Sequence, residues 1–147
     1  MADRPRRLLI GEGAGIGPTL FQAEQMRAQE WALLVLLGSD IPFPFRPRPS
    51  VIVVPGIPTG VIACMPLLEE WGISSRLASS ADLPGCFDGS VTELAGAWLS
   101  SLLPTDLAEV EIFACGPISL LETTANIARR YNVPIQTSSP NVPTTRD

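Results

Sequence analysis

The stretch from Leu8 to Arg27, LLIGEGAGIGPTLFQAEQMR, places glycines at 11, 13, 15 and 17 between an apolar run of strand length and a helix expected to open at Pro18. Few sequence features restrict a fold so strongly. Glycines bring backbone N–H groups close to an anion and reach positive φ without a Cβ clash. The start of the helix adds unpaired donors and a partial positive charge. A strand, a glycine loop and a helix in this order read as the opening unit of a nucleotide-binding sheet, with room for a pyrophosphate. The strict G-x-G-x-x-G register fails, because its last position is Ile16 counted from Gly11 and Pro18 counted from Gly13. A P-loop is excluded, since no Gly-Lys-Ser/Thr follows and the chain has no lysine. On these residues alone, a glycine-rich turn without a ligand is the alternative.

The rest of the chain continues the pattern. Trp31 to Gly38 is a continuous apolar run, as expected of a parallel strand covered on both faces. Ser39 and Asp40 follow at its carboxyl end, where open α/β sheets bind ligands, and are candidates for contact with a ribose or adenine. From Ile41 to Gly60 the chain carries six prolines around the island Val51 to Val54, which predicts an excursion with at most one edge strand. A helix is expected over Val61 to Trp71 and a third strand over Ile73 to Ser79. The segment Ser79-Ser80-Ala81-Asp82 marks a second ligand edge, and Leu83 to Ser90 reads as a loop. Val91 to Leu102 reads as a helix, with Ser90 and Glu93 spaced as a capping box. After a connection from Leu103 to Glu109 come a fourth strand, Val110 to Cys115, and a helix after Gly116-Pro117 with Leu121, Ala125 and Ala128 on one face. Ile135 to Thr137 adds a last strand, and 138–147 reads as a polar tail. Strands and helices thus alternate about five times, which predicts an α/β fold: one domain over 1–147, built on a doubly wound parallel sheet of about five strands with helices on both faces.

Composition removes several functions. With 147 residues, 46% hydrophobic and 17% charged, one globular core is expected, and no apolar run approaches the ~20 residues of a membrane span. A net charge of −5 with scattered arginines argues against nucleic-acid binding, although Arg46 and Arg48 form a small basic spot. Cys64, Cys86 and Cys115 are too few and too widely spaced for a disulfide framework or a Cys-x-x-Cys motif, and histidine is absent. No metal site, Ser-His catalysis or acid–base pair is expected, so no catalytic residue is nominated. Three thiols and no signal peptide predict a cytoplasmic protein.

GAGIGPT and the later FACGP, both at strand ends, with FDGSVTEL between them, resemble the nicotinamide-nucleotide domain of the ferredoxin reductase superfamily across nearly the whole chain. Within it the motifs look most like those of the dihydroorotate dehydrogenase electron transfer subunit. The resemblance implies that Gly13, Gly15, Ile16, Gly17, Pro18 and Thr19 line a pyrophosphate. It also implies that Cys115, Gly116 and Pro117 approach a nicotinamide, in hydride transfer between NAD(P)H and a flavin. Such proteins carry a flavin barrel before this domain and a cysteine-rich cluster segment after it. Here seven residues precede the first strand and SSPNVPTTRD follows the last. FAD or FMN and an iron–sulfur cluster are therefore expected only on other segments or on a flavin-containing partner, and the chain alone should bind nucleotide without turning it over. The ribose edges offer hydroxyls and carboxylates, which predicts NAD(H) over NADP(H), with Arg76 as the one residue able to rescue a 2′-phosphate. Glu12, a carboxylate inside the loop, favours the rival reading of a degenerate fold acting as an interaction or regulatory module. The apolar excursion around Phe43, Phe45 and Val51 to Ile57 predicts a homodimer.

Overall fold

The computed structural model describes residues 4–29 and 31–139, and the backbone of 142–146. The chain opens with β1 (Arg6–Glu12), a 3-10 turn over Gly13–Gly15 and α1 (Ile16–Met26). Next come β2 (Ala32–Gly38), β3 (Arg48–Pro49), β4 (Ala63–Cys64), α2 (Pro66–Glu70) and β5 (Ser74–Ser79). The second half runs β6 (Phe87–Asp88), α3 (Val91–Ser100), α4 (Pro104–Leu107), β7 (Val110–Cys115), α5 (Ile118–Tyr131), β8 (Ile135–Ser139) and β9 (Val142–Arg146).

Seven strands form one sheet in the order β6-β5-β2-β1-β7-β8-β9. Six are parallel and β9 is antiparallel to β8. The doubly wound parallel fold expected from the sequence is therefore present, with two strands more than the periodicity shows. Alternation along β1 builds two cores. Leu8 and Ile10 pack on one face with Leu94 and Trp98 of α3 and Leu120 of α5, while Leu9 packs on the other with Ile16 and Ala23 of α1 and Leu68 of α2. Leu8, Leu9 and Ile10 are 0% exposed, and each such side chain contributes about 1.5–3 kcal/mol. At α3, Ser90 and Glu93 form the expected capping box.

Several boundaries differ from the sequence reading. Pro66 cannot continue a helix through Val61–Met65 and instead sets the first turn of the short α2. Ala63–Cys64 ahead of it pairs antiparallel with Arg48–Pro49. Phe87–Asp88 leaves the expected loop to pair with Ala78–Ser79, and Pro104 starts a turn of helix. On α5, Leu120, Thr124 and Ala128 are buried and Leu121 and Ala125 only half-buried, a rotation of the expected face. Residues 142–146 of the expected tail form β9; 140, 141 and 147 lie outside the described residues.

The proline-rich excursion is a strap. It begins with Phe43 and Phe45, stacked at 5.1 Å in the α1/α2 core, and ends with Val54 and Ile57 in the α3/α5 core. Between these anchors it passes the outer edge of β5, which β6 covers only at Ala78 and Ser79. There the Glu69 carboxylate accepts from the Ser50 hydroxyl and the Val51 N–H, each at 2.8 Å, and Arg76 Nη2 donates to the Ile52 carbonyl at 2.5 Å. A covered edge cannot template further pairing. Phe43, expected on an exposed apolar surface, is 8% exposed; Val51 and Val53, at 89% and 85%, are what the strap leaves in solvent.

Candidate functional site

The strand order reverses between β1 and β7, and the loops following these two strands meet there. In such sheets this crevice is the ligand position. Paired residues Gly11 and Cys115 end the two strands side by side. A Cβ on Gly15 would overlap the Cys115 carbonyl and lie 2.8 Å from Gly116 N, and one on Gly116 would lie 3.3 Å from Glu12 O. The two loops therefore touch backbone to backbone, which only glycine permits. Thr19 closes the loop from within: its hydroxyl donates to Gly15 O at 2.7 Å, and a Cβ on Gly11 would lie 2.9 Å from Thr19 Cβ. Gly13 takes φ +57° at the turn into the 3-10 segment. Neither that segment nor α1 has a side-chain cap, so the amides that open them are not satisfied by a side-chain cap.

Over this junction lies a cleft of about 480 Å³, lined by Glu12, Gly13, Ala14, Ile16, Pro117 and the turn from Ser39 to Pro44 without Phe43. The expected site residues divide into two groups. Gly13, Ile16, Ser39, Asp40 and Pro117 line the cleft. Gly15, Thr19, Cys115 and Gly116 are buried behind it and shape it. Gly17 and Pro18 are exposed on the first turn of α1, and Pro18 faces a second cleft with Phe21 and Gln136. Ser39 is committed to its own turn, donating to Ile41 O at 2.6 Å, whereas Asp40 is exposed and accepts from Ser80 Oγ at 3.0 Å. The two ligand edges expected separately are thus joined. Ala14, Ile41, Pro42 and Pro44 were not anticipated as lining; the prolines that follow Asp40 are their only trace in the sequence.

The lining contains two carboxylates and no cation. Burial raises the Glu12 carboxyl above its ordinary value, and the charge of Asp40 raises it further. Arg76 does not reach either expected ligand edge, because it is 5% exposed with its guanidinium donating to Ser75 O and Ile52 O. Among the described residues no cluster of His, Cys, Asp and Glu could hold a metal ion, and no helix is long and apolar enough to cross a membrane.

Uncapped amides, a positive-φ glycine and a cleft of this volume fit the pyrophosphate and one ribose of a dinucleotide.

No family model and no curated protein matches the chain by sequence. Solved structures with the same fold are found. The ferredoxin reductase of carbazole 1,9a-dioxygenase, in its FAD-free form, is 18% identical with a TM-score of 0.52, covering 95% of this chain and 33% of its own. The C-terminal domain of a Pyrococcus furiosus hydrogenase is 14% identical with a TM-score of 0.52, covering 94% and 93%. A Neisseria gonorrhoeae ferredoxin NADP+ reductase with bound FAD and NADP is 12% identical with a TM-score of 0.54, covering 94% and 57%. The chain thus has the fold of a domain found in ferredoxin reductase-type proteins and spans about a third of the length of the first.

Proposed function

We propose that this chain is the nicotinamide-nucleotide-binding domain of an NAD(P)H-dependent flavoprotein oxidoreductase or electron transfer system. The observation that carries the reading is the backbone contact between the Gly13–Gly15 turn and Cys115–Gly116 at the strand-order reversal, beneath a cleft open to solvent. The ferredoxin reductase-type fold of the neighbours supports it, and the Gly-Ile-Gly-Pro and Cys-Gly-Pro motifs favour an electron transfer subunit like that of dihydroorotate dehydrogenase. In this reading the amides of Gly13 and Ala14 receive the pyrophosphate, Asp40 and Ser80 hold a ribose, and Pro117 closes the nicotinamide end. A bound NAD(H) supplies the hydride chemistry; the chain positions it. A flavin-bearing domain or subunit docks beside this end, where Phe21 and Ile118 are 64% and 70% exposed.

Nucleotide preference follows from charge. With Asp40 at the ribose edge and Arg76 buried elsewhere, NAD(H) is favoured over NADP(H). Fluorescence or calorimetric titration of the two reduced nucleotides should show NADH binding the tighter. A clear preference for NADPH would overturn the ribose assignment. The second reading, a degenerate fold serving as an interaction module, is favoured by the Glu12–Asp40 pair, and a folded protein that binds neither nucleotide at millimolar concentration would favour it over the first.

A further inference from the structure

We propose that nucleotide binding in this cleft is proton-coupled, and that Glu12 is the group that takes up the proton. The inference rests on the nucleotide-binding reading above and adds its regulation. Glu12 is the last residue of β1 and pairs with Gly38 at the end of β2. Its Oε2 lies 3.6 Å from where a Cβ on Gly38 would sit, and its own Cβ 3.5 Å from one on Gly116. The carboxylate is therefore lodged where β1, β2 and β7 end together, half-buried, in the lining shared by Gly13, Ala14 and Ile16. It cannot swing far without leaving that crevice, so a pyrophosphate on the loop would lie against it.

The groups facing Glu12 supply no positive charge. From the turn after β2 comes Asp40, which raises its carboxyl further. From α3, Val91 packs at Gly38 beside it, and Glu93 is engaged in the capping box. The first turns of α1 and α5 carry no acidic residue. Burial and Asp40 already disfavour the charged form, and a bound phosphate adds in the same direction. Protonation of Glu12 removes the repulsion, so binding draws a proton from solvent and weakens as pH rises. A like charge at this range shifts a carboxyl by about one unit or more, and one unit is tenfold in affinity.

The test is calorimetric titration with NAD+, whose pyrophosphate keeps its charge from about pH 5 to about pH 8, each pH measured in two buffers of different ionisation enthalpy. Wild type should lose about tenfold in affinity across this range, with proton uptake greatest, at about half a proton per nucleotide, midway through the fall. Glu12→Gln should bind about tenfold tighter than wild type at the upper end, with a flat profile and no proton uptake. Asp40→Asn should move the wild-type profile to lower pH without flattening it. Equal profiles for wild type and Glu12→Gln, both binding, would overturn the proton coupling while leaving the nucleotide site intact. Absence of binding by either protein at every pH, with circular dichroism showing both folded, would overturn the nucleotide reading and this inference with it.

Discussion

The glycine loop after β1 and the proline strap from Ile41 to Gly60 are both irregular segments at the sheet's border, and they are held in opposite ways. The loop is held by what its residues lack: without Cβ atoms, Gly15 and Gly116 let two backbones meet, and one hydroxyl, that of Thr19, completes the closure. The strap is held by what distant side chains add. Its two-residue pairing with β4 is minimal, and Glu69 and Arg76 supply the bonds a ladder would have given. The loop is therefore intolerant of added atoms, and the strap of removed ones.

Substitutions can break this contrast. Gly15→Ala drives a methyl into the Cys115 carbonyl, and because the obstacle is backbone it cannot rotate away. We expect a loss of about 3 kcal/mol in denaturant unfolding, at the upper end for overpacking, together with nucleotide binding. A Gly15→Ala protein as stable as wild type would show that the two loops are not in register as described. Gly15→Glu should act in the same way, through packing rather than through charge on a phosphate position.

Removing the strap's anchor comes next. Glu69→Ala leaves the Val51 N–H and the Ser50 hydroxyl without their acceptor, at a cost of about 2 kcal/mol, and should expose residues 50–57 to limited proteolysis. Burial pulls the Glu69 carboxyl upward, but the bonds from Val51, Ser50 and Cys64 and the charge of Arg76 outweigh it, so its folded value lies below the ordinary one. The stabilisation is then complete above the unfolded value of about 4.3 and fades as pH falls through the folded value. The difference between wild type and variant should shrink on acidification in the same order. A constant difference would mean that the charge of Glu69 is irrelevant to the strap.

The smallest effect on stability belongs to Val51 and Val53. Changing both to Asp should move unfolding by no more than about 0.5 kcal/mol each, as for exposed positions. If the chain forms a homodimer through the strap, light scattering coupled to size exclusion should show a doubled mass that the double variant reduces to 15.7 kDa. A wild-type mass near 15.7 kDa at tens of micromolar would exclude that dimer. Phe43→Asp cannot serve this purpose, because Phe43 is buried against Phe45 and its loss would disturb the core.

Much of the fold was legible because its signals are local. Apolar runs at Leu8–Ile10, Leu33–Leu37 and Val110–Cys115 need cover on both faces wherever they sit. The capping box at Ser90 and Glu93 closes within one turn. Where the sequence misled, a distant partner decided the outcome. Ala63–Cys64 stands just ahead of α2, yet pairs with Arg48–Pro49, and Phe87–Asp88 is a strand only because β5 offers it an edge. The cleft behaved likewise: motif and strand end point to Gly13, Ile16, Asp40 and Pro117, which line it, but Arg76, close in sequence to the second expected ligand edge, points to the strap instead.

By itself the sequence determined the alternation of strands and helices, the loop that only glycines can make, and the absence of lysine and histidine, because each depends on residue type and neighbours within a few positions. Tertiary structure alone decided which strand ends meet, that the excursion closes over the edge of β5 instead of leaving the domain, and that Glu12 shares a crevice with Asp40. Those outcomes rest on contacts between residues far apart in the chain, whose energies depend on burial and distance and have no counterpart in local sequence pattern.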